Sequence, residues 1–351
     1  MPSITADLNA PAKILLIGKS GAGKTGSLAS LVAAGYNLRI IDTDKGVRTL
    51  RSLLMDSEHY PYAKIIGERG YDLNRAVRYV PIDTAMKLQT IVRKMPGTER
   101  STSERLLAPV DAKAWMRAIE IMSEWDDGEL NLGHVSTWGL QDVLVIDSFS
   151  TLAKCAYYFS QAMNGRLGAR DQGYDYQRDV GEAQSQLTRL LELLYDSGVA
   201  CNVIVVSHIT WVDESQGVAS KPRTSSADGK EIIISNPDGY PSAIGRALSP
   251  QMSKYFNDVY IVRSEGSGNA VRRTICTVPN EGVLAKHSVY LERDYPISYG
   301  MGEIFARLRG QEPPTDLIEA CKSTRREAPP AGAEVAPGAS SKLVPKSAVR
   351  V

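Results

Sequence analysis

The chain has 351 residues, 43% hydrophobic and 23% charged, which is ordinary globular usage and excludes wholesale disorder. Lys and Arg number 41 against 40 Asp and Glu, a formal net charge of +1, so a bulk electrostatic grip on DNA or on an anionic membrane is excluded. Any contact with a polyanion has to come from local clusters.

No apolar stretch approaches the ~18–20 residues needed to span a bilayer, and residues 1–11 lack the charged-then-apolar order of a secretory signal. Cys155, Cys201, Cys276 and Cys321 are scattered with no CxxC pair, which reads as reduced, buried thiols in a cytoplasmic protein.

In chain order, residues 1–11 read as an N-terminal arm and 12–310 as an α/β core. Residues 13–17 form an apolar run ending in glycine, the signature of a strand buried on both faces. A helix is predicted over 24–34, closed by Gly35, and a strand over 38–42; this βαβ spacing points to a mainly parallel, twisted sheet flanked by helices. Residues 45–140 read as a helical insertion. Within it a strand is expected at 77–80, helices at 83–94 and 110–125, and a polar loop at 96–104.

Buried strands follow at 143–147, ending in Asp147, and at 203–206, ending in Ser207 and His208. A helix over 180–195 separates them, with Ala183, Leu187, Leu190, Leu191 and Leu194 on one stripe. Residues 212–250 read as a long polar loop, a length that is usually functional or disordered. Residues 258–263 and 270–278 alternate like a C-terminal antiparallel hairpin. The segment 311–351 reads as a disordered tail, being Ala/Pro/Gly/Ser-rich with no aromatic residue from about Ser323.

The sharpest motif is Gly18-Lys19-Ser20-Gly21-Ala22-Gly23-Lys24-Thr25, which fits GxxxxGK[ST] between a strand and a helix. Glycines let backbone N–H groups curl around the β- and γ-phosphates of ATP, and the helix start adds positive potential. Gly18, Ser20, Gly21, Ala22, Gly23, Lys24, Thr25 and Gly26 are the expected nucleotide contacts. Lys24 would bridge the β- and γ-phosphates and the Thr25 hydroxyl would ligate Mg²⁺.

Asp147 leaves the carboxyl edge of its strand, where open α/β sheets bind ligands, and is the second expected Mg²⁺ contact. The residue after it is Ser148, not the glutamate that activates water in many ATPases. Asp44, on the same side as Asp42 and projecting further, is the expected water-positioning group. His208 ends a third strand and can sense the γ-phosphate and shift the loop that follows.

These residues resemble the RecA-like recombinase superfamily, nearest its compact phage branch of ATP-binding, single-strand annealing proteins. The resemblance is carried by the phosphate loop, Ile41-Asp42-Thr43-Asp44, 145–150, Val205-Val206-Ser207-His208 and 254–260. It implies a RecA-type, DNA-stimulated ATPase of phage origin acting in the host cytoplasm, with a catalytic acid at Asp44, usually Glu in relatives. It also implies a ring or filament in which a basic residue reaches the neighbour's ATP site. Lys286 is the expected trans-acting residue, with Arg272 or Arg273 as replacements.

Single-stranded DNA is the implied partner. Arg166, Arg170, Tyr174 and Tyr176 interleave cations and aromatic faces after the Asp147 strand, and Lys221, Arg223, Lys230 and Arg246 populate the loop after His208. Aromatic faces stack on unpaired bases while cations follow phosphates. The tail is either a solvated terminus or a docking peptide, for instance for a single-strand binding protein. Three other readings stay open: a helicase or helicase loader, a P-loop kinase without nucleic acid, and a nucleotide-gated module that scarcely hydrolyses ATP.

Overall fold

The computed structural model describes residues 10–83, 86–94, 101–109, 112–165, 176–196, 198–212, 223–227, 230–235, 238–245, 247–266, 271–280 and 282–327. Strand β1 (Lys13–Gly18) is buried throughout, as a strand covered on both faces must be. The helix expected over 24–34 is two, α1 (Lys24–Ser27) and α2 (Ala29–Ala33). Ser27 Oγ takes the Lys24 carbonyl at 2.6 Å, and the Leu28 N–H turns to Thr25 instead, which breaks the ladder there. Gly35, at φ 96°, closes α2 as expected.

After β2 (Asn37–Asp42), the helices α3 (Val47–Met55), α4 (Tyr62–Glu68) and α5 (Leu73–Ala76) lead to β3 (Val77–Pro81). The insertion is less helical than its sequence suggested. Residues 83–94, read as a helix, contain strand β4 (Met86–Lys94), antiparallel to β5 (Ser101–Pro109), which takes in part of the expected 96–104 loop. Met86, Leu88, Thr90 and Val92 alternate with Lys87, Gln89 and Arg93, Ile91 being the exception, and this period of two with the β-branched run 90–92 prevails over the helix-forming Lys, Gln and Leu. Residues 95–100 lie outside the described residues. Helix α6 (Lys113–Ser123) is the expected amphipathic helix, burying Trp115, Ala118, Ile121 and Met122. It is followed by a short hairpin of β6 (Trp125–Asp126) and β7 (Asn131–Gly133).

Then come β8 (Asp142–Asp147), α7 (Phe149–Met163), α8 (Tyr176–Tyr195) and β9 (Asn202–Ser207). Four further strands follow β9, the first ahead of the long polar loop and three within it. They are β10 (Ile209–Val212), β11 (Arg223–Ala227), β12 (Lys230–Ser235) and β13 (Asp238–Pro241), with β10 antiparallel to β13 and β11 to β12. A turn of helix, α9 (Leu248–Gln251), leads to the expected hairpin of β14 (Asp258–Glu265) and β15 (Arg272–Cys276), and then to β16 (Asp294–Pro296) and α10 (Gly300–Leu308).

The expectation of a disordered tail from 311 is corrected by α11 (Thr315–Glu327). Leu317 and Cys321 form a short apolar stripe that enters the core, and Arg69 holds Asp316 at 2.5 Å. A polar composition hid a helix that needs only one face. Residues 328–351 of the expected tail, and 1–9 of the arm, lie outside the described residues.

The main sheet has the order β16-β15-β14-β1-β9-β8-β2-β3. The six strands from β14 to β3 are parallel, and β15 and β16 add the antiparallel extension. Alternate residues feed two cores. Ile14, Leu16, Ile40, Val145 and Val206 face α2, α3, α4, α10 and α11, while Leu15, Ile17, Ile41, Ile146 and Val205 face α6, α7 and α8. The mainly parallel α/β class read from the sequence is the one observed. Among the described residues no helix is long and apolar enough to cross a membrane, and all four cysteines are buried and unbridged.

Candidate nucleotide site

Strand register brings the chemistry to one edge. Asp42 sits opposite Asp147, Asp147 opposite Val206, and Ile17 opposite Ser207, so Gly18, Asp42, Asp147 and His208 leave the same carboxyl rim. There a cleft of about 730 Å³ is lined by Ser20, Gly21, Gly23, Lys24, Thr25 and Gly26, together with Asp44, Asp147 and His208. Gly18 ends β1 behind it, and Ala22 is buried beneath the loop.

Lys24 is almost fully buried. Its Nζ donates to the Gly18 and Lys19 carbonyls at 2.8 and 2.9 Å and lies 3.3 Å from His208 Nδ1. Burial lowers its pKa to about 8, opposed by Asp147 and Asp44. Thr25 Oγ1 donates to Asp147 Oδ2 at 2.6 Å. Burial raises the Asp147 carboxyl to about 6 despite the Thr25 hydrogen bond. Behind this pair stands Gly46: a Cβ there would lie 2.8 Å from Asp147 Oδ2 and 3.0 Å from Thr25 Oγ1, so only glycine lets the two side chains meet.

The acids of the β2 exit divide their work. Asp42 accepts from the Gly46 and Val47 N–H groups at 3.0 and 3.4 Å and so folds the chain into α3. Asp44 instead reaches across the rim, where its Oδ2 accepts from Ser148 Oγ at 2.7 Å and lies 3.2 Å from His208 Nε2. Burial would raise the Asp44 pKa, but hydrogen bonds from His208, Ser148 and Thr151 outweigh it and hold it at about 2. One imidazole ring thus faces Lys24 with Nδ1 and Asp44 with Nε2. The backbone beneath is fixed too: Thr43 Oγ1 donates to the Ser148 carbonyl at 3.0 Å, and the His208 N–H donates to Ser150 Oγ at 3.0 Å. The Asp147–Ser148 peptide is cis.

Ser148 is the residue that sequence reasoning undervalued. It looked like a missing glutamate, yet its hydroxyl positions Asp44. Arg272 and Arg273 also line the cleft within their own chain, Arg273 Cδ lying 2.9 Å from the Cβ position of Gly23. Lys286 does not line it. Its backbone bridges Val259, whose partner in β1 is Leu15, three residues short of the glycine turn. Among the described residues no three of His, Cys, Asp and Glu cluster to hold a metal. A cation here would depend on Thr25, Asp147 and phosphate oxygens, a donor set that suits Mg²⁺.

Of the expected DNA contacts, Arg166, Arg170, Tyr174, Lys221 and Arg246 lie outside the described residues. Arg223 opens β11 and Lys230 opens β12. Tyr176 is half exposed at the start of α8, edge-on to Tyr157 at 6.1 Å.

A phosphate loop, an acid two strands away and a third strand carrying a histidine between them define a P-loop ATPase fold. The chain belongs to the AAA domain family AAA_24, whose model matches residues 10–289. A comparison with curated proteins gives no match. Among solved structures the chain is similar to a KaiC-like protein, PH0186, from Pyrococcus horikoshii OT3, at 12% identity and a TM-score of 0.34, covering 82% of this chain and 84% of that one. It is also similar to the flagellar accessory protein FlaH from Methanocaldococcus jannaschii, at 8% identity and a TM-score of 0.30, covering 81% and 84%. The fold assignment rests on the strand order and the family match.

Proposed function

We propose that this ATPase binds ATP with Mg²⁺, hydrolyses it slowly, and couples its nucleotide state to single-stranded DNA as a phage-type recombination protein that promotes annealing or strand pairing. The observation that carries the reading is His208, held between Lys24 and Asp44 while the β10–β13 ribbon starts one residue later. A γ-phosphate arriving at Lys24 competes for the contact that His208 now makes. The Ser242 N–H donates to the His208 carbonyl at 2.7 Å, so a shift of His208 is felt at both ends of the ribbon.

In this reading the loop from Gly18 to Gly26 binds the phosphates, and Lys24 offsets their charge. Thr25 and Asp147 would hold Mg²⁺, which supplies Lewis-acid stabilisation of the phosphate oxygens. Asp44 orients the attacking water. With its carboxyl near 2 it is a weak base, which keeps hydrolysis slow. Arg272 and Arg273 are the cations of the chain's own cleft, and Lys286 is reserved for a neighbour in a ring or filament.

Arg166, Arg170, Tyr174, Tyr176, Lys221, Arg223, Lys230 and Arg246 are the proposed DNA contacts. If three or four of the cations meet phosphates, log K for single strands falls against log salt with a slope of roughly −2 to −3. The test is steady-state ATP turnover with and without single-stranded DNA. Stimulation by the strand supports the reading; identical rates, with a flat salt response in strand binding, would remove DNA from it and leave a P-loop ATPase.

A further inference from the structure

The cleft is longer than its phosphate end. Beyond the start of α1 it runs on between two walls that phosphate chemistry does not use. The first begins with Leu53, whose Cδ1 lies 3.2 Å from the Cβ position of Gly26, and continues to Tyr60. The second is Ile297, its Cδ1 3.0 Å from the Cβ position of Gly23, beside the aliphatic stem of Arg273. The walls are tied together, because Tyr62 Oη donates to the Ser298 carbonyl at 2.6 Å. Tyr62 is buried and Tyr60 stacks parallel on it at 6.1 Å, yet Tyr60 keeps 37% of its surface exposed. The far end is lined by Cys321 and Thr324 of α11, with Cys321 Sγ 3.4 Å from the same Ser298 carbonyl. Helix α11 lies beyond the residues that the family model matches.

We propose that this aromatic and aliphatic end is the base slot of the nucleotide, with the nucleobase against Tyr60 and Ile297, and that α11 completes the slot through Cys321 and Thr324. The proposal rests on the phosphates occupying the glycine turn. Given that, the ribose leaves past Thr25 and Gly26, and the next surface a flat apolar ring meets is this pair of walls. A nucleobase gains from an aromatic face on one side and an aliphatic side chain on the other, as purine-sized rings do wherever they leave water. An edge contact from a helix beyond the residues that the family model matches would also make nucleotide occupancy sensitive to the C-terminal segment.

The test is calorimetric titration of the full chain with ATP and with inorganic tripolyphosphate, which has the charge but no base. Wild type is expected to bind ATP at least about tenfold tighter than tripolyphosphate. Tyr60→Ala, which opens one wall, and Thr324→Trp, which fills the far end from α11, should each weaken ATP about tenfold and leave tripolyphosphate within about twofold. Equal wild-type affinity for the two ligands, or losses in both variants that fall equally on tripolyphosphate, would overturn the slot while the phosphate-loop reading stands. Wild type that binds neither ligand would overturn both.

Discussion

The two rims of the central sheet each bury a lysine, and the two lysines look alike until their neighbours are compared. At the amino rim Lys13 donates to the Val199 and Cys201 carbonyls at 2.8 and 3.3 Å; at the carboxyl rim Lys24 donates to Gly18 and Lys19. Burial lowers both to about 8. Around Lys13, Asn202 accepts from the Ala12 N–H and from Arg309 Nη2, and Arg39 pairs with Asp142 at 3.1 Å, while Arg39 Nε and Arg309 Nε stay buried without a hydrogen-bond partner among the described residues. Around Lys24, Asp44 and Asp147 face a shared cleft, and the ammonium has His208 for its third neighbour. Lys13 also borders a cleft with Glu192 and Asp196, so a depressed lysine pKa beside acids marks burial alone; what Lys24 adds is the glycine turn and the Thr25–Asp147 pair at the carboxyl rim.

That contrast can be broken by substitution. Lys24→Ala should lower ATP turnover by about 10²–10³-fold or more in a coupled assay, because it removes a charge aimed at the phosphates. Lys13→Met should leave turnover within about twofold but cost about 1–3 kcal/mol in urea unfolding, because two buried carbonyls lose their donor. If both variants lost activity equally, the rims would not differ in kind.

The pH response sharpens the same comparison. Lys13 has a folded pKa near 8 against 10.5 for the ordinary group, so between those values the unfolded chain binds more protons and stability rises with pH. The stability gap between wild type and Lys13→Met should widen from pH 7 to pH 9.5, read as urea midpoints; a constant gap would mean that Lys13 is not shifted. The smallest effect belongs to neither rim. Arg69→Ala removes a half-exposed pair with Asp316 on α11 and should cost no more than about 1 kcal/mol, less in high salt.

The sequence made the phosphate loop, the acids and His208 legible because each stands where an apolar strand meets polar chain, and strand ends are where a parallel sheet exposes chemistry. It also made the two-faced core legible through runs of aliphatic residues. Four features escaped it. Residues 86–109 mix helix formers with a period of two, and the period won. Helix α11 has one short apolar stripe in a polar stretch. Ser148 acts through a hydroxyl aimed at Asp44, which depends on a strand pairing that spacing does not encode. Arg273 was expected at a neighbour's site, and its place in the chain's own cleft, with Tyr60 and Ile297 from distant segments, follows only once the sheet has formed.

The central claim is that Asp44 acts on the phosphate that the glycine turn holds. The direct measurement is a paired one on Asp44→Asn: ATP affinity by titration and single-turnover hydrolysis. The account predicts affinity within about threefold of wild type and hydrolysis slower by about 10² or more. An Asp44→Asn protein that hydrolyses ATP at the wild-type rate would contradict it.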